Sequence, residues 1–161
     1  MAKISKVLEI DNCKNDDLLK AIYSAKFWEQ IKPTQKMEAK FIAPNVLYTK
    51  IYDEINLIKV SIEMEGELVL IDKGTDQDKG NLIEFNVRNN KDVRNLEGRI
   101  RVKALSPVKS KIGVFIDKFT LSSDFLNLLG GAADLTLQMK ITDMLRNLEK
   151  YCKINNLEEL F

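Results

Sequence analysis

Between Lys36 and Leu121 the chain alternates apolar and polar residues almost without a break, a period that only β-strands satisfy. Val60, Ile62, Met64, Gly66, Leu68 and Leu70 oppose Ser61, Glu63, Glu65 and Glu67. One face is apolar and the other carries three glutamates, which suits an antiparallel strand with one wet side. The same alternation runs through Met37-Ala39-Phe41, Ile83-Phe85-Val87 and Gly98-Ile100-Val102-Ala104. Pro44-Asn45, Asp72 to Gly80, Asn89 to Asn95 and Ser106-Pro107 supply the turns, and Asn56 a break. A last strand is expected around Lys111 to Leu121.

The flanking segments add one more strand and the helices. Lys3 to Ile10 reads as a first strand, with Ile4, Lys6, Leu8 and Ile10 on one side. Asn15-Asp16-Asp17 opens a short helix, its acids at the positive end of the dipole, and Leu18, Leu19 and Ile22 form its stripe. Ser24 is positioned to cap a second helix bearing Phe27, Trp28 and Ile31 and ending near Pro33. At the other end Leu137, Ile141, Met144, Leu145, Leu148, Tyr151 and Cys152 form one helical stripe. A helix from Leu135 to Cys152 would extend about 27 Å, enough to cross a sheet. Ser122, Ser123 or Asp124 could cap an earlier turn, with Gly130-Gly131 separating the two pieces. The expected order is strand, two short helices, six strands and a long helix in an α+β domain covering 1–161, with 154–161 as a loose tail.

Composition narrows the function classes. A chain of 161 residues buries roughly 70% of its unfolded surface. Its 25 basic and 24 acidic residues give no bulk charge to attract nucleic acid or an anionic membrane. The N-terminus has no signal-peptide core, and the longest aliphatic runs, such as Leu68 to Ile71, are too short to span a bilayer. A cytoplasmic protein is expected, with Cys13 and Cys152 reduced and buried rather than disulfide-bonded. There is no histidine, which removes the commonest general base and zinc ligand. No phosphate-binding glycine motif occurs, so neither cofactor nor metal is expected. Asp76 to Gly80 resembles a calcium loop only loosely and reads as a hairpin turn. The basic row Arg99-Arg101-Lys103 and the acidic row Glu63-Glu65-Glu67 read as outward faces that could pair across strands. Asp117 lies inward if Phe115 and Phe119 do, and outward if Ile112, Val114 and Ile116 do. Tyr48 and Tyr52 share a face, either toward a ligand or outward.

This order of elements resembles the START-related helix-grip (SRPBCC) superfamily, which includes polyketide cyclases and birch-pollen allergens. Local carriers are Val7-Leu8-Glu9-Ile10 leading into Asp17 to Ile22, then Phe27-Trp28-Glu29-Gln30-Ile31, and Ile141 to Glu149 near the C-terminus. The resemblance implies a curved seven-stranded antiparallel sheet gripping the last helix, with an apolar cavity between them. Phe41, Met64, Phe85, Ile100, Leu137, Ile141 and Met144 would line it, with Gln138 as a polar contact. Non-catalytic binding or transport of a small apolar molecule or lipid is the leading reading. A protein-interaction module with a collapsed cavity, engaging a protein partner, is the alternative. A cyclase or hydratase comes third, because its acid–base residues are missing.

Overall fold

Alternation in the sequence becomes a single sheet. The computed structural model describes residues 2–55, 60–122 and 131–161, with side chains described for 2–52, 64–122 and 131–161. The elements are β1 (Ile4–Asp11), α1 (Asn15–Ile22), α2 (Ala25–Ile31), β2 (Lys36–Ala43), β3 (Val46–Ile55), β4 (Val60–Asp76), β5 (Gly80–Arg88), β6 (Val93–Ser106), β7 (Lys109–Leu121) and α3 (Gly131–Ile154). Seven strands run in the order β1-β7-β6-β5-β4-β3-β2, each antiparallel to its neighbours. The sequence read along its two periods therefore gives the observed α+β architecture.

Residues directly opposite in an antiparallel pair share a face. Phe41, Leu47, Leu68 and Val87 therefore form one inner row, and Leu70, Phe85, Gly98, Ile116 and Ile4 another. The register of β7 settles the two open orientations: Ile112, Val114 and Ile116 are buried, so Phe115 and Asp117 face outward. Asp117 accepts both bonds of the Arg99 fork, at 3.1 and 3.0 Å. Tyr48 and Tyr52 are on the outer side, Tyr48 opposite Glu67, with Lys36 and Lys50 over the Tyr52 ring. The basic row of β6 does not neighbour the glutamates of β4, because β5 lies between them. Arg88 of β5 pairs with Glu67 instead, at 3.2 Å.

The helices cover the inner face. Ile141, Leu145, Leu148, Tyr151 and Cys152 of α3 are buried, and α3 packs against β1 and α2. It starts four residues earlier than the stripe predicts, with Gly131 as its first residue. The earlier capped turn expected at 123–130 lies outside the described residues. Arg146 and Lys150 are exposed, whereas Lys140 is half-buried with Nζ 3.4 Å from the Pro33 carbonyl. Asn147 donates from Nδ2 to the carbonyls of Ile31 and Lys32 at 3.2 and 3.0 Å, so α3 completes the C-terminus of α2.

Three local expectations need correction. The expected turn from Asp72 to Gly80 is mostly strand, because β4 continues through a bulge between Asp72 and Thr75. Gly74 takes φ +90° there and its N–H bonds Asp72 Oδ1 at 2.9 Å. Ser24 occupies the N-cap position of α2 without capping it, since its hydroxyl donates to the Leu160 carbonyl instead. Residues 154–161 are not a loose tail. Leu157 and Leu160 are buried in a 3-10 turn, and Asn12 Nδ2 bonds the Cys152 carbonyl at 2.8 Å. Apolar residues spaced at Leu157 and Leu160 are what a docked turn requires.

Cys13 and Cys152 are far apart in sequence but meet in the core as free thiols, both fully buried. The contact with the Cys152 thiol, then burial, pushes the Cys13 thiol up. In the unfolded chain a thiol ionises near pH 8.5. A group raised on folding contributes stability below that pH and loses it above. Stability should therefore fall above about pH 8.5, and fall less steeply in Cys13→Ala. Neither thiol should react with an aromatic disulfide reagent in native buffer, and both should react in denaturant. Rapid native labelling would contradict this packing.

Candidate functional site

The inner face is packed unevenly. At its β1–β7–β6–β5 end, Ile4, Ile10, Ile83, Ile100, Val102, Ile112, Val114 and Ile116 are buried beneath the second half of α3 and the short helices. At the β2–β4 end Leu47 and Leu70 are buried too, but the inner residues Met37, Ala39, Phe41, Ile51, Met64 and Leu68 are only half-buried. In the helix above, no residue from Gly131 to Lys140 is fully buried, and Ile141 is the first that is. Half-buried apolar residues therefore gather on β2, β3 and β4 and in the first half of α3, with Leu8, Leu96 and Phe119 as further ones on β1, β6 and β7.

Six of the predicted lining residues come together in one apolar cluster. Phe85, Ile100 and Ile141 are part of its dry interior, at 8%, 5% and 5% exposure. Phe41, Leu137 and Met144 pack against it while keeping accessible surface. Met64 stands at the end of the row Met37–Ile51–Met64, half-buried. Gln138 is half-buried in the helical turn beside Leu137 and Ile141. The first trio is packed, and the half-buried group keeps accessible surface.

Other residues at this margin were not predicted. Tyr23, at the junction of α1 and α2, lies 6.4 Å from the Phe41 ring and packs against the core. Burial and then the nearby Asp72 push its phenol up, so it remains a neutral hydrogen-bonding group. Leu96 and Phe119 are opposite one another and reach the inner side across a register shift at Glu97–Gly98. Leu96 keeps step with Gly98, but the extra residue at Asp117 puts Phe119 out of step with Ile116, which hides it from a period-two reading. Lys6 is a charged residue in the inner rows, opposite Val114 and half-buried.

The site has few groups for acid–base chemistry or metal binding. The chain has no histidine, and among the described residues no three Cys, Asp or Glu side chains converge as metal ligands. Among them, too, no helix is long and apolar enough to cross a membrane.

A curved antiparallel sheet, two short helices after the first strand and a long last helix define the START-related helix-grip fold, and this chain adopts it. Solved structures share it across nearly the whole chain. A START superfamily protein from Mycobacterium smegmatis matches at 15% identity and a TM-score of 0.56, covering 93% of this chain and 96% of its own. The Zhui aromatase/cyclase from Streptomyces sp. R1128 matches at 9% identity and a TM-score of 0.66, covering 93% and 92%. Norcoclaurine synthase from Thalictrum flavum, solved with dopamine and hydroxybenzaldehyde, matches at 16% identity and 0.55, covering 91% and 83%. No family model matches the sequence, and no curated protein matches it closely enough to count. At such identities the likeness establishes the fold alone.

Proposed function

We propose that this protein binds a small apolar or amphipathic molecule, without converting it, between the first half of α3 and the inner faces of β2, β3 and β4. The observation that carries this reading is the uneven packing: inward-facing Met37, Phe41, Met64, Leu68, Leu137 and Met144 keep accessible surface beside a dry core. Covering such surface is favourable by about 25 cal/mol per Å². Three methionines at the margin can adapt to varied shapes. Tyr23 and Gln138 offer polar groups to orient one end of the ligand. The lack of histidine keeps a cyclase behind a binder. A protein-interaction module would need none of this accessible inner surface.

An uncharged fluorescent probe such as Nile red tests the reading. The parent protein should bind it saturably at one site. Leu137→Trp should weaken binding about tenfold or more while the melting temperature holds, because the added ring occupies the cleft. Leu135→Trp, at a position 47% exposed on the same helix, should bind as the parent does. A parent that never takes up probe would put the interaction module ahead.

A further inference from the structure

On the outer face, opposite the cleft, lies a hollow of about 410 Å³ lined by Val7, Asp78, Lys79, Arg99, Arg101, Lys103, Lys111, Gly113 and Phe115. Its floor is the register row Val7–Gly113–Arg101. Gly113 leaves the floor open, and the Phe115 ring leans over it, so a Cβ there would come within 2.8 Å of the ring. Arg99 lies over that ring, 5.2 Å from its centre, with its fork taken by Asp117. Arg99 is therefore a wall of the hollow rather than a free cation.

The remaining cations are arranged differently. Lys103 and Lys111 are directly opposite each other on β6 and β7. Like charges opposed in this way destabilise a sheet unless an anion lies between them. Among the described residues neither makes an ion pair, although Glu9 adjoins Lys111 in the β1–β7 register. Arg101 is on the same outer face, and the nearby Asp76 spends its Oδ1 on the N–H groups of Asp78 and Lys79. Lys79 is delivered by a close approach of backbones. Gly80, at φ +81°, sits where a Cβ would be 2.3 Å from the Val102 carbonyl, so only glycine lets this turn lean on β6.

We propose that this hollow is a second binding site, separate from the apolar cleft, for a small phosphate-bearing molecule. The phosphate sits between Lys103 and Lys111, within reach of Arg101 and Lys79, and the organic part rests on Val7 and Phe115. A multiply charged anion relieves the opposed lysines as no single surface carboxylate does. The site stands whether or not the cleft binds anything.

Two arms test it and separate a free phosphate from a lipid headgroup. In the first, inorganic pyrophosphate is titrated calorimetrically at an ionic strength held constant with sodium chloride. In the second, the protein is sedimented with phosphatidylcholine vesicles with and without phosphatidic acid. Saturable binding in the first arm identifies a soluble ligand; binding confined to phosphatidic acid vesicles identifies a headgroup. In either case Lys103→Gln/Lys111→Gln should bind about tenfold or more weakly, and should melt higher than the parent without anion. Lys118→Gln, whose lysine is paired with Glu97 outside the hollow, should behave as the parent does. Binding in neither arm, or equal binding by the double variant, overturns the proposal.

Discussion

Replacing Phe27 by alanine is expected to cost about 3–5 kcal/mol. Phe27 is 2% exposed and is, among the described residues, the largest of the fully enclosed side chains, so water cannot fill the space it leaves. Its ring stands edge-on to Trp28, with centroids 5.6 Å apart, and Trp28 Nε1 donates to the Ile22 carbonyl at 2.8 Å. The aromatic pair thus fixes α2 against the end of α1, and Asn147 fixes the other end of α2 to α3. Losing the ring removes apolar burial and the edge contact together. For a domain of this size the loss should appear as a drop of about 6–20 °C in melting temperature. A drop of less than about 2 °C, corresponding to under 1 kcal/mol, would mean that α2 is not anchored as the structure shows.

Gly98→Ala should be nearly as damaging, for a different reason. A Cβ at position 98 would lie 2.3 Å from the Phe115 carbonyl oxygen and 2.5 Å from Phe85 Cζ. The ring could rotate away, but the carbonyl belongs to the neighbouring strand and cannot move without opening the β6–β7 pair at the register shift. The expected cost is about 2 kcal/mol or more. Combining it with Phe85→Leu discriminates the two contacts. If the ring were the obstacle, the second substitution would restore stability; if the carbonyl is, the costs should roughly add. Urea melts of the two single variants and the double variant decide between them.

Much of this fold was legible because it rests on two repeating patterns. Val60 to Leu70 could satisfy its apolar face only as a strand with one wet side, and Leu137 to Cys152 could do so only as a helix. What was hidden depends on tertiary partners. The bulge at Asp72–Thr75 extends β4 with residues that look like a turn, because Gly74 and the Asp72 carboxylate resolve the local backbone. Phe119 lies beyond the register shift at Glu97–Gly98, so counting by twos from Ile116 assigns it to the wrong face. Ser24 was expected to cap α2, but the docked C-terminal turn takes its hydroxyl.

Which residues join the apolar cluster was legible, and how tightly each packs was not. Period and phase placed Phe41, Phe85, Ile100, Leu137, Ile141 and Met144 on facing surfaces. Nothing in a stripe distinguishes Ile141, which is packed, from Leu137, which keeps accessible surface. The outer hollow was harder still, since Arg99, Arg101 and Lys103 read as an ordinary solvated row. Its lysine pair exists only through the β6–β7 register, and Lys79 arrives only through the contact at Gly80.

The methionines provide the most direct test of the proposed apolar cleft. Met37, Met64 and Met144 are half-buried inner-face or helix residues at its margin, whereas Met139 is 53% exposed on α3. Labelling the methionine methyl groups with carbon-13 and titrating a medium-chain alcohol followed by proton–carbon NMR reads these positions simultaneously. Saturable shifts at Met37, Met64 and Met144, with Met139 unmoved, are the predicted result. Shifts at Met139 alone, or none that saturate, would contradict a binding cleft between α3 and the far half of the sheet.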